Sequence, residues 1–75
     1  MKYSDGSEVI IGDHVSLSDG TKGEIVFCVD RDEFSEQYPK AEWSYLQSGA
    51  MVKTEKYGLI HYSETDDELT LISRG

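Results

Sequence analysis

Between Gly12 and Asp30, apolar and polar positions alternate in a way that predicts two strands joined by a tight turn. Val15 and Leu17 alternate with His14, Ser16 and Ser18, the two-residue period of a half-buried strand. Asp19-Gly20 supplies a dipeptide that accepts positive φ, the chemistry of a short hairpin loop. From Gly23 onward, Ile25, Phe27 and Val29 fall on one face, and Val26 and Cys28 on the other. Apolar residues on both faces predict a central strand covered on both sides.

The flanking segments extend the pattern. Asp5-Gly6 signals a turn, Glu8–Ile11 reads as a short strand or edge segment, and Gly12-Asp13 as a second turn. Tyr3 is expected to pack over one end of the core. After the hairpin, residues 30–40 form a loop in which Phe34 interrupts the charged run Asp30, Arg31, Asp32 and Glu33. Residues 39–46 predict one short helical turn. Pro39 suits its first position, where a missing N–H costs nothing, and Ser35 or Gln37 are the cap candidates. Trp43 and Leu46, three apart, share a face toward the core, and Ser48-Gly49 ends the element. Residues 50–54 and 57–62 predict a third and a fourth strand around a turn at Glu55-Lys56. An acidic loop follows over 63–67, then a last alternating strand over 68–72 and a tail over 73–75. Five or six short strands, one helical turn and no room for crossovers predict a mainly β, small antiparallel barrel, a single domain over residues 1–75. Closure would also remove exposed edges.

Charge changes the functional picture most. Fifteen acidic against seven basic side chains leave a formal net charge of −8. Such a body repels nucleic-acid phosphates and steers basic partners toward itself, although the same charge also serves solubility alone. The single cysteine, Cys28, excludes an internal disulfide and reads as a small core residue in a reducing compartment. Residues 1–25 lack the basic start and apolar run of a signal peptide, and no window approaches a membrane span. The expected location is cytoplasmic.

The pattern Gly12-Asp13-x-Val15-x-Leu17-x-Asp19-Gly20-x-x-Gly23-x-Ile25-Val26 resembles the opening hairpin of SH3-like barrels, in particular the KOW-type element. It covers about a quarter of the chain. The segment Tyr38-Pro39…Trp43-x-Tyr45-Leu46, followed by Gly58-Leu59-Ile60-His61-Tyr62, is similar to small, acidic, uncharacterised bacterial proteins. KOW-type modules imply contact with RNA or with a transcription or translation component, made through Lys and Arg on the loops. Here the long loops are acidic instead, and only Lys53 and Lys56 lie close together, which disfavours direct nucleic-acid binding.

Candidate chemistry is sparse. Asp30-x-Asp32 begins like a calcium loop, but its sixth position is Ser35 and its twelfth is Ala41. His14, His61 and Cys28 would suit zinc if neighbouring strands brought them together, without supporting spacing. No nucleophile elbow accompanies the Ser, His and Asp residues, and Cys28 lacks the basic setting of a reactive thiol. The loop carboxylates are expected to titrate ordinarily. No cofactor, metal or catalytic residue is therefore expected.

Binding remains. Trp43 and Tyr62 are the core candidates among the aromatics. Tyr38, Tyr45 and Tyr57, beside Asp32, Glu33, Glu36 and Glu42 and joined by Asp66 and Asp67, form the candidate partner-binding set. Rings flanked by carboxylates suit an Arg or Lys side chain, whereas tyrosines on a merely solvated acidic face would serve as strand formers. The expected function is a non-enzymatic protein-binding module for a basic partner. Immunity-type inhibitors of nuclease toxins are short, acidic and cytoplasmic, and the chain is similar to them in those respects. An SH3- or KOW-type adaptor contacting a peptide or a transcription or translation component is the alternative. A monomer or weak homodimer is expected, the latter through an uncovered strand such as 8–11.

Overall fold

The computed structural model describes residues 1–63 and 69–74. Among the described residues, five strands form one antiparallel sheet: β1 (Asp13–Ser16), β2 (Lys22–Cys28), β3 (Ala50–Thr54), β4 (Gly58–Tyr62) and β5 (Thr70–Arg74). Their order across the sheet is β4-β3-β2-β1-β5, so β2 is central as its apolar faces require. The short helical turn is also present, as α1 (Lys40–Trp43) running into a 3₁₀ turn over Ser44–Leu46. The mainly β antiparallel class is thus observed, in an open sheet whose edges are β4 and β5.

One face of the sheet carries the main core. Val15, Ile25, Cys28, Ala50, Val52 and Tyr62 are buried there, closed over by Tyr3, Val9, Leu17 and Leu69. The first residues reach this face as a small loop rather than a strand. Tyr3 N–H donates to Ser7 O (2.8 Å) and Val9 N–H to Met1 O (3.0 Å), and only Lys2 and Glu8 form a bridge. The strand expected over 8–11 does not form, because Asp13 organises that stretch instead. Its buried carboxylate accepts from Tyr3 Oη–H (2.7 Å) and Ile10 N–H (3.0 Å), and lies 3.6 Å from the Arg74 guanidinium. This network also explains the last strand, which runs to Arg74 rather than stopping at Ile72: Arg74 stands opposite Asp13 in the ladder. Residues 73–74 are therefore strand and not tail.

A bulge in β2 corrects the expected facing of its residues. Ile25 pairs with Val52 but Phe27 pairs with Met51, leaving Val26 as an extra residue. The alternation restarts after it, so Ile25 and Cys28 share the core face while Phe27 points to the other one. Phe27 is nonetheless fully buried. What covers it is the connection 29–49.

Candidate functional site

The 29–49 connection is pinned at both ends. Cys28 and Glu33 exchange both backbone hydrogen bonds (2.9 and 3.0 Å), and Val29 N–H donates to Gly49 O (2.8 Å). Asp30 ties the base: one carboxylate oxygen accepts Gly49 N–H (3.0 Å) and the other lies 2.8 Å from the Met1 ammonium. That ammonium, followed by the Gly49 amide, holds the Asp30 carboxyl below its ordinary range, so this loop carboxylate does not titrate ordinarily. Ser35 and Tyr38 exchange a second reciprocal pair at 3.2 Å, closing a turn before Pro39. Pro39 sits at the N-cap position of α1 with no side-chain cap, so neither Ser35 nor Gln37 caps the helix. Gln47, at φ 69°, ends the 3₁₀ turn, and His61 Nε2 contacts Ser48 O at 2.9 Å.

These ties set a group of rings on Phe27. Phe34 stacks on it at 5.5 Å between centroids, Trp43 lies at 5.3 Å and Tyr38 at 5.9 Å. Tyr45 stacks in turn on Trp43 at 6.3 Å and is 69% exposed. The group is thus graded from a buried foundation to an open ring, an arrangement that offers aromatic surface at low entropic cost. Trp43 belongs here and not to the main core, whereas Tyr62 is a main-core residue as expected. The Trp43 indole N–H is buried without a partner among the described residues.

The carboxylates of the candidate set divide into two kinds. Asp32 pairs with Lys40 (2.7 Å), both largely exposed. Glu33 takes Arg31 (3.3 Å) and accepts Ile11 N–H (3.2 Å). Glu36 and Glu42, both exposed, have no ion pair among the described residues and stand nearest the open rings in sequence.

Tyr57 lies elsewhere. The β3–β4 turn that carries it is at the opposite end of β2 and β3 from the 29–49 connection. Its hydroxyl donates to Asp19 in the β1–β2 turn, and Lys56 pairs with Asp19 at 3.8 Å while lying 5.3 Å from the Tyr57 ring centroid. Thr21 first, then Tyr57, holds the Asp19 carboxyl far below the usual range. Tyr57 therefore latches two hairpin tips together, and its cation is supplied internally. Asp66 and Asp67 lie outside the described residues.

Sequence reasoning missed three contributors. The bulge places Phe27 on the face opposite to the one its parity predicts, and Phe34 leaves a signal only as the apolar break in a charged run. Glu24 is the third: it lines a depression of about 310 Å³ with Val26 and Tyr38, and a second of about 340 Å³ with Lys22 and Lys53.

His14, His61 and Cys28 are not brought together. Cys28 is in the main core, whereas His14 and His61 belong to the opposite face of the ladders. Among the described residues no group of His, Cys, Asp or Glu side chains is arranged to hold a metal ion. Burial pushes the Cys28 thiol up from its ordinary pKa of 9.0, away from nucleophilic chemistry. None of the described helices is long and apolar enough to cross a membrane.

Comparison with known proteins finds no matching family model, no matching curated protein and no matching solved structure.

Proposed function

We propose that this chain is a non-enzymatic, cytoplasmic protein-binding module whose 30–46 loop receives a basic partner protein. The observation that carries this reading is the ring ledge. Tyr45 is open to solvent on a Trp43–Phe27 foundation, with Glu36 and Glu42 uncommitted on the same loop. An exposed aromatic backed by a packed one keeps its orientation before contact, so little entropy is lost when a cation settles against it. The net charge of −8 adds long-range attraction for such a partner. The binding patch within the candidate set is accordingly Glu36, Tyr38, Glu42 and Tyr45. Asp32 and Glu33 shape the loop through their internal pairs. An immunity-type inhibitor that fills the phosphate groove of a nuclease-like toxin is one concrete form of this function, since an acidic ledge competes for the same cations.

Trp43 is the only tryptophan, so its fluorescence reports on the ledge directly. Titration with an unstructured Arg/Lys-rich peptide should change that emission saturably, and the affinity should fall as salt is raised. The double variant Glu36→Gln/Glu42→Gln and the single variant Tyr45→Ala should each weaken binding. Wild-type affinity in both, or binding indifferent to salt, would remove this function from the loop. Capture from native lysate at low and then high salt would identify the physiological partner.

A further inference from the structure

We propose that the depression between β2 and the 35–38 turn is a receptor slot for a single arginine side chain of the basic partner. This rests on the protein-binding reading above but adds a contact, centred on Glu24, that shares only Tyr38 with the ledge patch. The slot has about 310 Å³ and is bounded by Ile11, Val26, Ser35, Gln37, Tyr38 and Glu24. That is the small end of the roughly 300–1,000 Å³ of ligand pockets, a size for a side chain rather than for a large molecule.

Its chemistry selects a cation. Glu24 is the one charged residue in the lining, and no cation lines the slot. Its carboxylate has no ion pair among the described residues, although Lys53 stands opposite it in the β2–β3 ladder. Tyr38 is in the lining, and its ring is held in place by contacts with Phe27 and Trp43. A guanidinium plane would lie along that ring while its fork donates to the Glu24 carboxylate, and Gln37 and Ser35, also in the lining, carry side-chain oxygens that can accept from it. The methylene stem would cover Ile11 and the bulged Val26, which the extra residue in the strand brings into the lining. Lysine satisfies the charge but neither the plane nor the fork. Past Glu24 the same sheet face carries Lys22 and Lys53, which repel a second cation. The slot therefore reads one arginine and not a polybasic run.

The test uses three blocked tripeptides, Gly-Arg-Gly, Gly-Lys-Gly and Gly-citrulline-Gly, added to the isotope-labelled whole chain and followed by amide NMR shifts. The arginine peptide should move Gly12, Glu24, Val26 and Tyr38 saturably, the lysine peptide should bind more weakly, and the neutral citrulline peptide should barely act. Glu24→Gln, a near-isosteric change at an exposed strand position, should keep the native spectrum and lower arginine affinity by about tenfold. Equal responses to arginine and citrulline, or unchanged affinity in Glu24→Gln, would overturn the slot. So would shifts confined to Glu36, Glu42 and Tyr45, a result that leaves the ledge reading intact. Loss of Arg/Lys-rich peptide binding only in Glu24→Gln, and not in the ledge variants, would instead keep the slot and remove the ledge.

Discussion

Gly49 offers the sharpest test of how the connection is fastened to the sheet. Its φ is +89°, and a Cβ there would fall 1.9 Å from Tyr62 O and 2.8 Å from Ser63 Cα. Ordinary C···O contacts begin near 3.3 Å, so the end of β4 would have to retreat by more than ~1 Å. Retreat is resisted, because Ala50 pairs with Tyr62 in the ladder and the Gly49 amide is held by Asp30. Gly49→Ala therefore combines a left-handed backbone penalty of about 1–2 kcal/mol with an overpacking penalty of about 1–3 kcal/mol or more. The sum, about 2–5 kcal/mol, is a large part of the ~4–11 kcal/mol expected for a chain of this length. Gly20→Ala separates the two terms. Its φ is +87°, yet nothing lies within 4 Å of the added carbon, so only the backbone penalty applies. Urea unfolding followed by Trp43 fluorescence and circular dichroism should place Gly49→Ala about 1–3 kcal/mol or more below Gly20→Ala, or leave it unfolded in buffer. Coincident transitions for the two variants would refute the close approach of Gly49 to Tyr62.

Further outcomes follow from individual contacts. Phe27→Ala should cost about 3–5 kcal/mol and shift Trp43 emission, because it removes the foundation under four rings, whereas Tyr45→Ala should leave stability nearly unchanged. The Cys28 thiol should resist thiol reagents in the native protein and react in denaturant, and rapid native labelling would contradict its burial. The Asp30 carboxyl sits below its ordinary 3.8, so the folded state binds fewer protons there than the unfolded one. Its contribution is present above that pH and is lost as pH falls through the folded value. Unfolding midpoints should drop on acidification, and Asp30→Asn should flatten part of that drop; an identical pH profile would argue against the pairing. Tyr57→Phe should raise the Asp19 carboxyl pKa, read by carboxyl NMR titration, while leaving it below 3.8 because Thr21 remains.

Where residues alternate without interruption, sequence and structure agree. Ala50–Thr54 is a strand with the expected bounds, and the hairpin turn at Asp19-Gly20 joins the expected neighbours. Disagreement appears where a single residue outside the pattern decides. The Val26 bulge has no glycine or proline to announce it, so Phe27 looked like a partner of Ile25. Arg74 reads as tail chemistry until Asp13 is seen to be buried across from it. The candidate ledge was legible in part, since Tyr38, Glu42 and Tyr45 are close in sequence and remain so in space. Tyr57 was not, because its place depends on a turn formed at the far end of β3. Glu24 was invisible for the same reason: a slot between a strand and a distant turn has no linear signature.

The extra residue at Val26 makes β2 behave like a reading frame. Upstream of it, alternate positions address the main core; downstream, the same parity addresses the ring ledge. Deleting Val26 would remove the frame shift itself and leave Ile25, Phe27 and Cys28 opposite Val52, Met51 and Ala50 on the faces they already occupy. Length at residue 26 is therefore a weaker constraint than identity one residue on, where loss of the Phe27 ring would take away the foundation of the ledge.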